Sequence, residues 1–111
     1  MKRIFHPGGS VVTGSDLADA VLVYAEALSG RSQVDVVDIP IISDDGSQGR
    51  AQFLIGSASQ LVSVTSEPAA FELVELGTTE LLRRKAQDQS LQTPIGLADD
   101  PAFAQFDEFD Y

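Results

Sequence analysis

Apolar and polar positions along the chain fall into alternating stretches and one clear helical stretch. Lys2 to His6 alternates as a strand does, Pro7-Gly8-Gly9 is a turn signal, and Ser10-Val11-Val12-Thr13 can return as a second short strand. Leu17, Val21, Tyr24, Ala25 and Leu28 recur on one side of a helix, with Asp16, Asp19 and Glu26 on the other. This predicts a helix over 15–29, ended by Ser29-Gly30. Thr13-Gly14-Ser15-Asp16 reads as its start. A Thr or Ser hydroxyl can accept a bond from the first-turn N–H groups, Asp16 can bond back, and both early acids suit the helix dipole.

Val34 to Ile42 is β-branched and predicts a strand with Val37, Ile39 and Ile41 on one face. Asp35 falls on that same face and unsettles the register. Pro40 lacks a ladder donor, which favours a strand end or an edge. Ser43 to Gly49, with Asp44-Asp45-Gly46, reads as a hairpin loop. Arg50 to Thr65 then reads as two strands around the small-residue turn Gly56-Ser57-Ala58-Ser59, the hairpin on which the rest is expected to pack. Ala51, Phe53 and Ile55 would face inward from its first strand, and Val62 and Val64 from its second, leaving Ser63 and Thr65 outside. The short connections predict three consecutive antiparallel strands. Ser66-Glu67-Pro68 opens a second helical region over 68–88, with Pro68 where its missing N–H is harmless. Its apolar stripe would be Phe71, Val74, Leu81 and Leu82, with Thr78 inside it and Gly77 a candidate break.

The expected fold is therefore α+β. An antiparallel sheet of about five strands, in the order β-β-α-β-β-β-α, carries two helical regions on one face and is followed by an acidic C-terminal tail. The expected division is a domain over 1–88 and a tail over 89–111.

A chain of 111 residues, 43% of them hydrophobic, is the size of one domain with one core. The absence of cysteine excludes disulfides, thiolate metal sites and cysteine nucleophiles, and it fits a reducing compartment. No stretch approaches the ~20 apolar residues of a membrane span. The expected location is the cytoplasm, with no membrane partner. Seventeen acidic residues against seven basic ones give a net charge of −10. That balance repels nucleic acid, so no nucleic-acid partner is expected, and it attracts a basic protein. From Ala86 onward Asp88, Asp99, Asp100, Asp107, Glu108 and Asp110 stand without a single Lys or Arg.

Candidate chemistry is sparse. Gly9 to Gly14 has the glycine spacing of a phosphate loop, but Ser15-Asp16 stands where Lys and Ser/Thr are needed. His6, the only histidine, precedes Pro7-Gly8-Gly9 but has no G-x-S-x-G nucleophile elsewhere. Asp35, Asp38, Asp44 and Asp45 lack the spacing of a calcium loop. Arg83-Arg84-Lys85 reads as a helix end whose cations suit the dipole, with the chain's own acidic tail as their partner. No catalytic residue, cofactor or metal is expected.

The tail is the functional-looking segment. Phe103, Phe106, Asp107, Glu108, Phe109 and Tyr111 are the candidate partner-binding residues: aromatic area for a groove, acids for its basic rim. In composition it resembles the acidic, aromatic-ended tails by which bacterial single-stranded-DNA-binding proteins recruit other proteins. The same segment could instead fold back on its own domain. The leading expectation is a non-enzymatic protein-interaction module whose contact is this tail or an exposed sheet edge. Its partner would be another protein or a second copy, giving a homo-oligomer such as a homodimer. The alternatives are a small-ligand or enzymatic domain using the His6-Pro7-Gly8-Gly9 loop, and an acidic decoy of nucleic acid.

The order of elements over residues 1 to 88, and the step from Gly49-Arg50 into the strand–short loop–strand unit Arg50 to Thr65, resemble small actinobacterial proteins of about 100 residues and unknown function. The resemblance implies the fold and no activity. Some of those proteins carry a DNA-ligase label. Such a ligase needs a lysine nucleophile in a K-x-D-G setting, and here Asp45-Gly46 follows Ser43-Asp44.

Overall fold

Seven elements follow one another in the predicted order: β1 (Lys2–His6), β2 (Gly9–Thr13), α1 (Ser15–Ser29), β3 (Val34–Ile42), β4 (Gln48–Gly56), β5 (Val62–Thr65) and α2 (Leu76–Ile95). They are seen in a computed structural model that describes residues 1–57, 60–66 and 72–95, with side chains to residue 89. The fold is α+β: a five-stranded antiparallel open sheet, order β4-β3-β2-β1-β5, with two helices. Among the described residues no helix is long and apolar enough to cross a membrane.

The helical stripe of α1 does what its spacing dictates. Leu17, Val21, Tyr24 and Leu28 are buried with Ala18 and Ala20, and most of them join Ile4, Val37, Ile39, Ile55, Leu82 and Ala86 in the main core. Truncating any one large member to Ala would cost about 2–5 kcal/mol. The start of α1 differs from expectation. No side chain of Thr13, Ser15 or Asp16 caps it. Thr13 instead donates its hydroxyl to the Pro40 carbonyl at 2.7 Å. The Ser15 N–H donates to the carboxylate of Glu72, far along the chain. The helix is capped in tertiary structure, so its local capping residues are free for other roles.

Pro40 lies within β3, buried and opposite Arg50 of β4. Its carbonyl faces Thr13, and in a strand the missing N–H faces the same side. The β2–β3 ladder is a single pair, Val12 with Ile42. The proline therefore sits on the side of β3 where no further ladder bond is required.

The largest correction concerns β5. It does not form a hairpin with β4 but pairs with β1, at the opposite edge of the sheet. Five residues, 57–61, separate the end of β4 from the start of β5. A connection this short has to run almost straight between opposite edges, and it is eased by a coiled sheet. A ring contact reports the same curvature: His6 of β1 stacks on Phe53 of β4 at 4.9 Å and 8°, although two strands lie between them in sheet order. The register sets Ser63 opposite Ile4, whose side chain is fully buried. Ser63 thus faces the core, and Val62 and Val64 face outward, the reverse of the sequence expectation.

The second helical region also differs. Residues 67–71 lie outside the described residues, and 72–75 are not helical. Leu73 packs with Met1 and Leu17, and its carbonyl sits where a side chain on Gly14 would be, 1.7 Å from the Cβ position. Glu72 and Glu75 are tied down on either side of it. This segment is held by those contacts without regular secondary structure, and α2 begins only after it. Gly77 therefore lies in the first turn rather than at a break, and α2 crosses the boundary expected at 88. Among its described side chains, to residue 89, the buried positions are Thr79, Leu82 and Ala86; Leu81, and Val74 before the helix, are exposed.

Candidate functional site

Among the described residues, four polar clusters and one apolar edge bear most directly on function. The first lies under the helices. Asp35, on the inner face of β3, accepts the Tyr24 hydroxyl at 2.5 Å and the Val36 N–H at 2.8 Å. Lys85 of α2 stands 3.5 Å from the same carboxylate and 5.9 Å from the centre of the Tyr24 ring. The Tyr24 bond, chiefly, holds Asp35 below the usual carboxylate range. Burial, then the bond to Asp35, pushes the Tyr24 phenol well up. The acid that disturbed the sequence pattern is thus the acceptor for a tyrosine on the α1 stripe.

The second cluster closes the N-terminal end of α1. Glu72 accepts the Met1 ammonium at 2.9 Å and the Ser15 N–H. The ammonium first, and the backbone donor second, bring its pKa down to about 2. The helix N-terminus, where a phosphate would have to sit, already holds a carboxylate, and the Gly14 position is filled by Leu73. The phosphate-loop reading of Gly9 to Gly14 fails on both counts.

The third cluster lies on the outer face. Arg50 donates through Nε to Asp38 at 2.8 Å and through Nη1 to Glu75 at 3.1 Å, Gln52 donates to Asp38 at 3.0 Å, and Thr78 donates to Glu75. Asp38 is lowered by Gln52 and then Arg50, and Glu75 by Arg50 and then Thr78. In the β3–β4 turn, Asp45 accepts the Ser47 N–H and hydroxyl. Asp35, Asp38 and Asp45 therefore serve three separate places, inner face, outer face and turn, rather than one cation.

The fourth is His6. Its ring lies on Phe53, and Nδ1 accepts the Gly8 N–H at 3.1 Å. Among the described residues neither an acid nor a hydroxyl joins it, so the machinery of a hydrolase is not assembled there.

No family model, no characterised protein and no solved structure matches this chain.

The chemistry open to the first three clusters is limited by the direction of their shifts. A general acid or base works best with a pKa near the working pH. Here every carboxylate with a resolved shift moves down, away from neutrality, and Tyr24 moves up, away from it. These are charges saturated by donors, as in structural networks.

The apolar edge is different. Phe5, Val62 and Val64 are 43%, 56% and 46% exposed and adjoin on the outer face, Phe5 directly opposite Val62. Among the described residues no strand pairs with the far side of β5. The strand reads Val-Ser-Val-Thr, with no charge, proline or glycine. The other edge, β4, carries Arg50 clasped to Glu75. The pattern of β5 alone points Val62 and Val64 inward and hides this patch; its one signal in the sequence is the uncharged strand itself. The partner-binding candidates Phe103, Phe106, Asp107, Glu108, Phe109 and Tyr111 lie outside the described residues.

Proposed function

We propose that the chain is a non-enzymatic protein-interaction module and that its contact is the β5 edge, occupied by β5 of a second copy. Antiparallel pairing about a two-fold axis would continue the sheet through both copies and bring the Val62, Val64 and Phe5 patches together. The observation that carries this reading is an uncharged edge strand without the usual protection. Edge strands are normally guarded by lysine, proline or a bulge, and β5 has none of these.

Charge supports a second copy as the occupant. Two chains of net charge −10 repel each other over most of their surface. The ribbon β2-β1-β5 is the exception: its strands contain no Asp or Glu, while Lys2 and Arg3 lie on β1. This is where like chains meet with least repulsion.

Sedimentation velocity across a concentration series tests it, with Val62→Lys and Val64→Lys as variants and circular dichroism as the check on folding. A wild-type dimer with folded, monomeric variants is the expected result. A wild-type chain that stays monomeric up to about 1 mM would remove the proposal.

A further inference from the structure

Three arginines in this acidic chain have no partner among the described residues. Of the seven basic residues, Lys2 pairs with Asp19, Arg50 with Asp38 and Glu75, and Lys85 with Asp35, while Arg3 donates to Ser10. Arg31, Arg83 and Arg84 make no ion pair or side-chain hydrogen bond among the described residues. Arg83 lines a groove of about 650 Å³ between α1 and α2, and Arg31 and Arg84 are chain neighbours of residues that line it. Val23, Ala27 and Gly30 line it from α1, and Arg83, Ala86 and Gln87 from α2. Arg31 follows Gly30 at the end of the groove, and Arg84 is next to Arg83. Glu26 is the one acid in the lining.

The groove has the size of an ordinary binding pocket, and its floor is apolar. Val23, 51% exposed, has no cover among the described residues. The two helices run parallel past it, Val23 to Gly30 beside Arg83 to Gln87, and α2 continues to Ile95. The groove therefore lies on the stretch of α2 that precedes Ile95, from which the rest of the chain departs. That remainder, residues 96–111, holds five acids (Asp99, Asp100, Asp107, Glu108 and Asp110), no Lys or Arg, and the aromatics Phe103, Phe106, Phe109 and Tyr111. Sixteen residues reach up to ~50 Å extended, against ~12 Å of helix between Gln87 and Ile95.

We infer that residues 96–111 fold back into the α1–α2 groove of their own chain. Phe103 and Phe106 cover Val23, Ala27 and Ala86, and the tail acids pair with Arg31, Arg83 and Arg84. The charge match selects the occupant: the chain's most acidic segment meets the three cations that have neither an ion pair nor a side-chain hydrogen bond among the described residues, across an apolar floor that takes aromatic rings. Any partner that captures the tail must first displace it from this groove. The inference does not depend on the β5 contact.

Because the chain has no cysteine, one can be placed uniquely. A full-length Gln105→Cys variant carrying a nitroxide label, observed by amide NMR with the diamagnetic form as reference, reads the docking directly. Loss of signal intensity at residues 23–31 and 83–87 is expected, reversed by high salt and by Arg83→Glu combined with Arg84→Glu. Mixing isotope-labelled chain without nitroxide with unlabelled chain carrying it should leave those signals intact. Broadening in that mixture would mean a tail docking on a neighbouring copy and would overturn the intramolecular contact. Unchanged intensities at the groove in the labelled chain itself would overturn it as well. The double charge reversal lies on the solvent side of α2, and its folding is checked by the unchanged positions of the core amides.

Discussion

The Tyr24 hydroxyl of α1 donates to Asp35 on the inner face of β3, and the pair joins a helix to the strand that follows it. Tyr24→Phe keeps the ring in the core and removes only the donor. It should lower stability by about 1–2 kcal/mol, the size of a hydrogen bond to a charged group that is partly exposed. Urea unfolding measures the loss, and an NMR titration should show the Asp35 carboxyl moving up towards the ordinary range.

Glu72 links acid stability to the start of α1. Its pKa falls from 4.5 in an unpaired state to about 2 in the fold. The unfolded chain therefore binds the proton more readily, so the stabilisation is complete above the unpaired value and lost as pH drops from there towards the folded value. Asp35, Asp38, Asp45 and Glu75 are shifted in the same direction and add to the same acid limb. Glu72→Gln should cost about 1 kcal/mol near neutral pH, as loss of a helix cap does, and should flatten the acid limb of a stability–pH curve.

Two glycines should respond in opposite ways to the same change. A Cβ on Gly14 would meet the Leu73 carbonyl oxygen at 1.7 Å, and neither backbone can give way easily. Gly14→Ala should destabilise by about 3 kcal/mol. A Cβ on Gly77, in the first turn of α2, meets nothing within 4 Å. Gly77→Ala should stabilise by about 0.5–1 kcal/mol through helix propensity. Thermal unfolding of the two variants separates the effects.

Ser63 faces the core with a buried hydroxyl oxygen that has no hydrogen-bond partner among the described residues. Ser63→Ala should stabilise the fold by about 1 kcal/mol, whereas a serine on the outer face would give no change. Chemical denaturation of this one variant decides the register of β5.

What could be read in the sequence was local. The stripe of α1 and the alternation of β3 and β4 are set by neighbours a few residues apart, and the structure has them as predicted. Asp35 was visible as a misfit, and Tyr24 was visible on the helical stripe; only the tertiary pairing joined them. The cap of α1 could not be seen because Glu72 lies 57 residues from Ser15. The β5 partner could not be seen either: Val-Ser-Val-Thr alternates equally well with either face inward, and a short loop from β4 suggested a hairpin. The sheet's coiling is a property of the whole and leaves no mark in that stretch. The α2 stripe was misplaced because Leu81 and Leu82 are adjacent and Leu73 is buried without being helical. The three partnerless arginines emerged only once the other cations of the described residues had been placed, Lys2, Arg50 and Lys85 on acids and Arg3 on Ser10.

The most direct measurement is amide hydrogen exchange of Val62 to Thr65 at several protein concentrations. Those β5 amides that point away from β1 should exchange ever more slowly as concentration rises, while the edge amides of β4 do not change. Exchange at β5 that is equally fast at every concentration would mean that this strand meets no second copy.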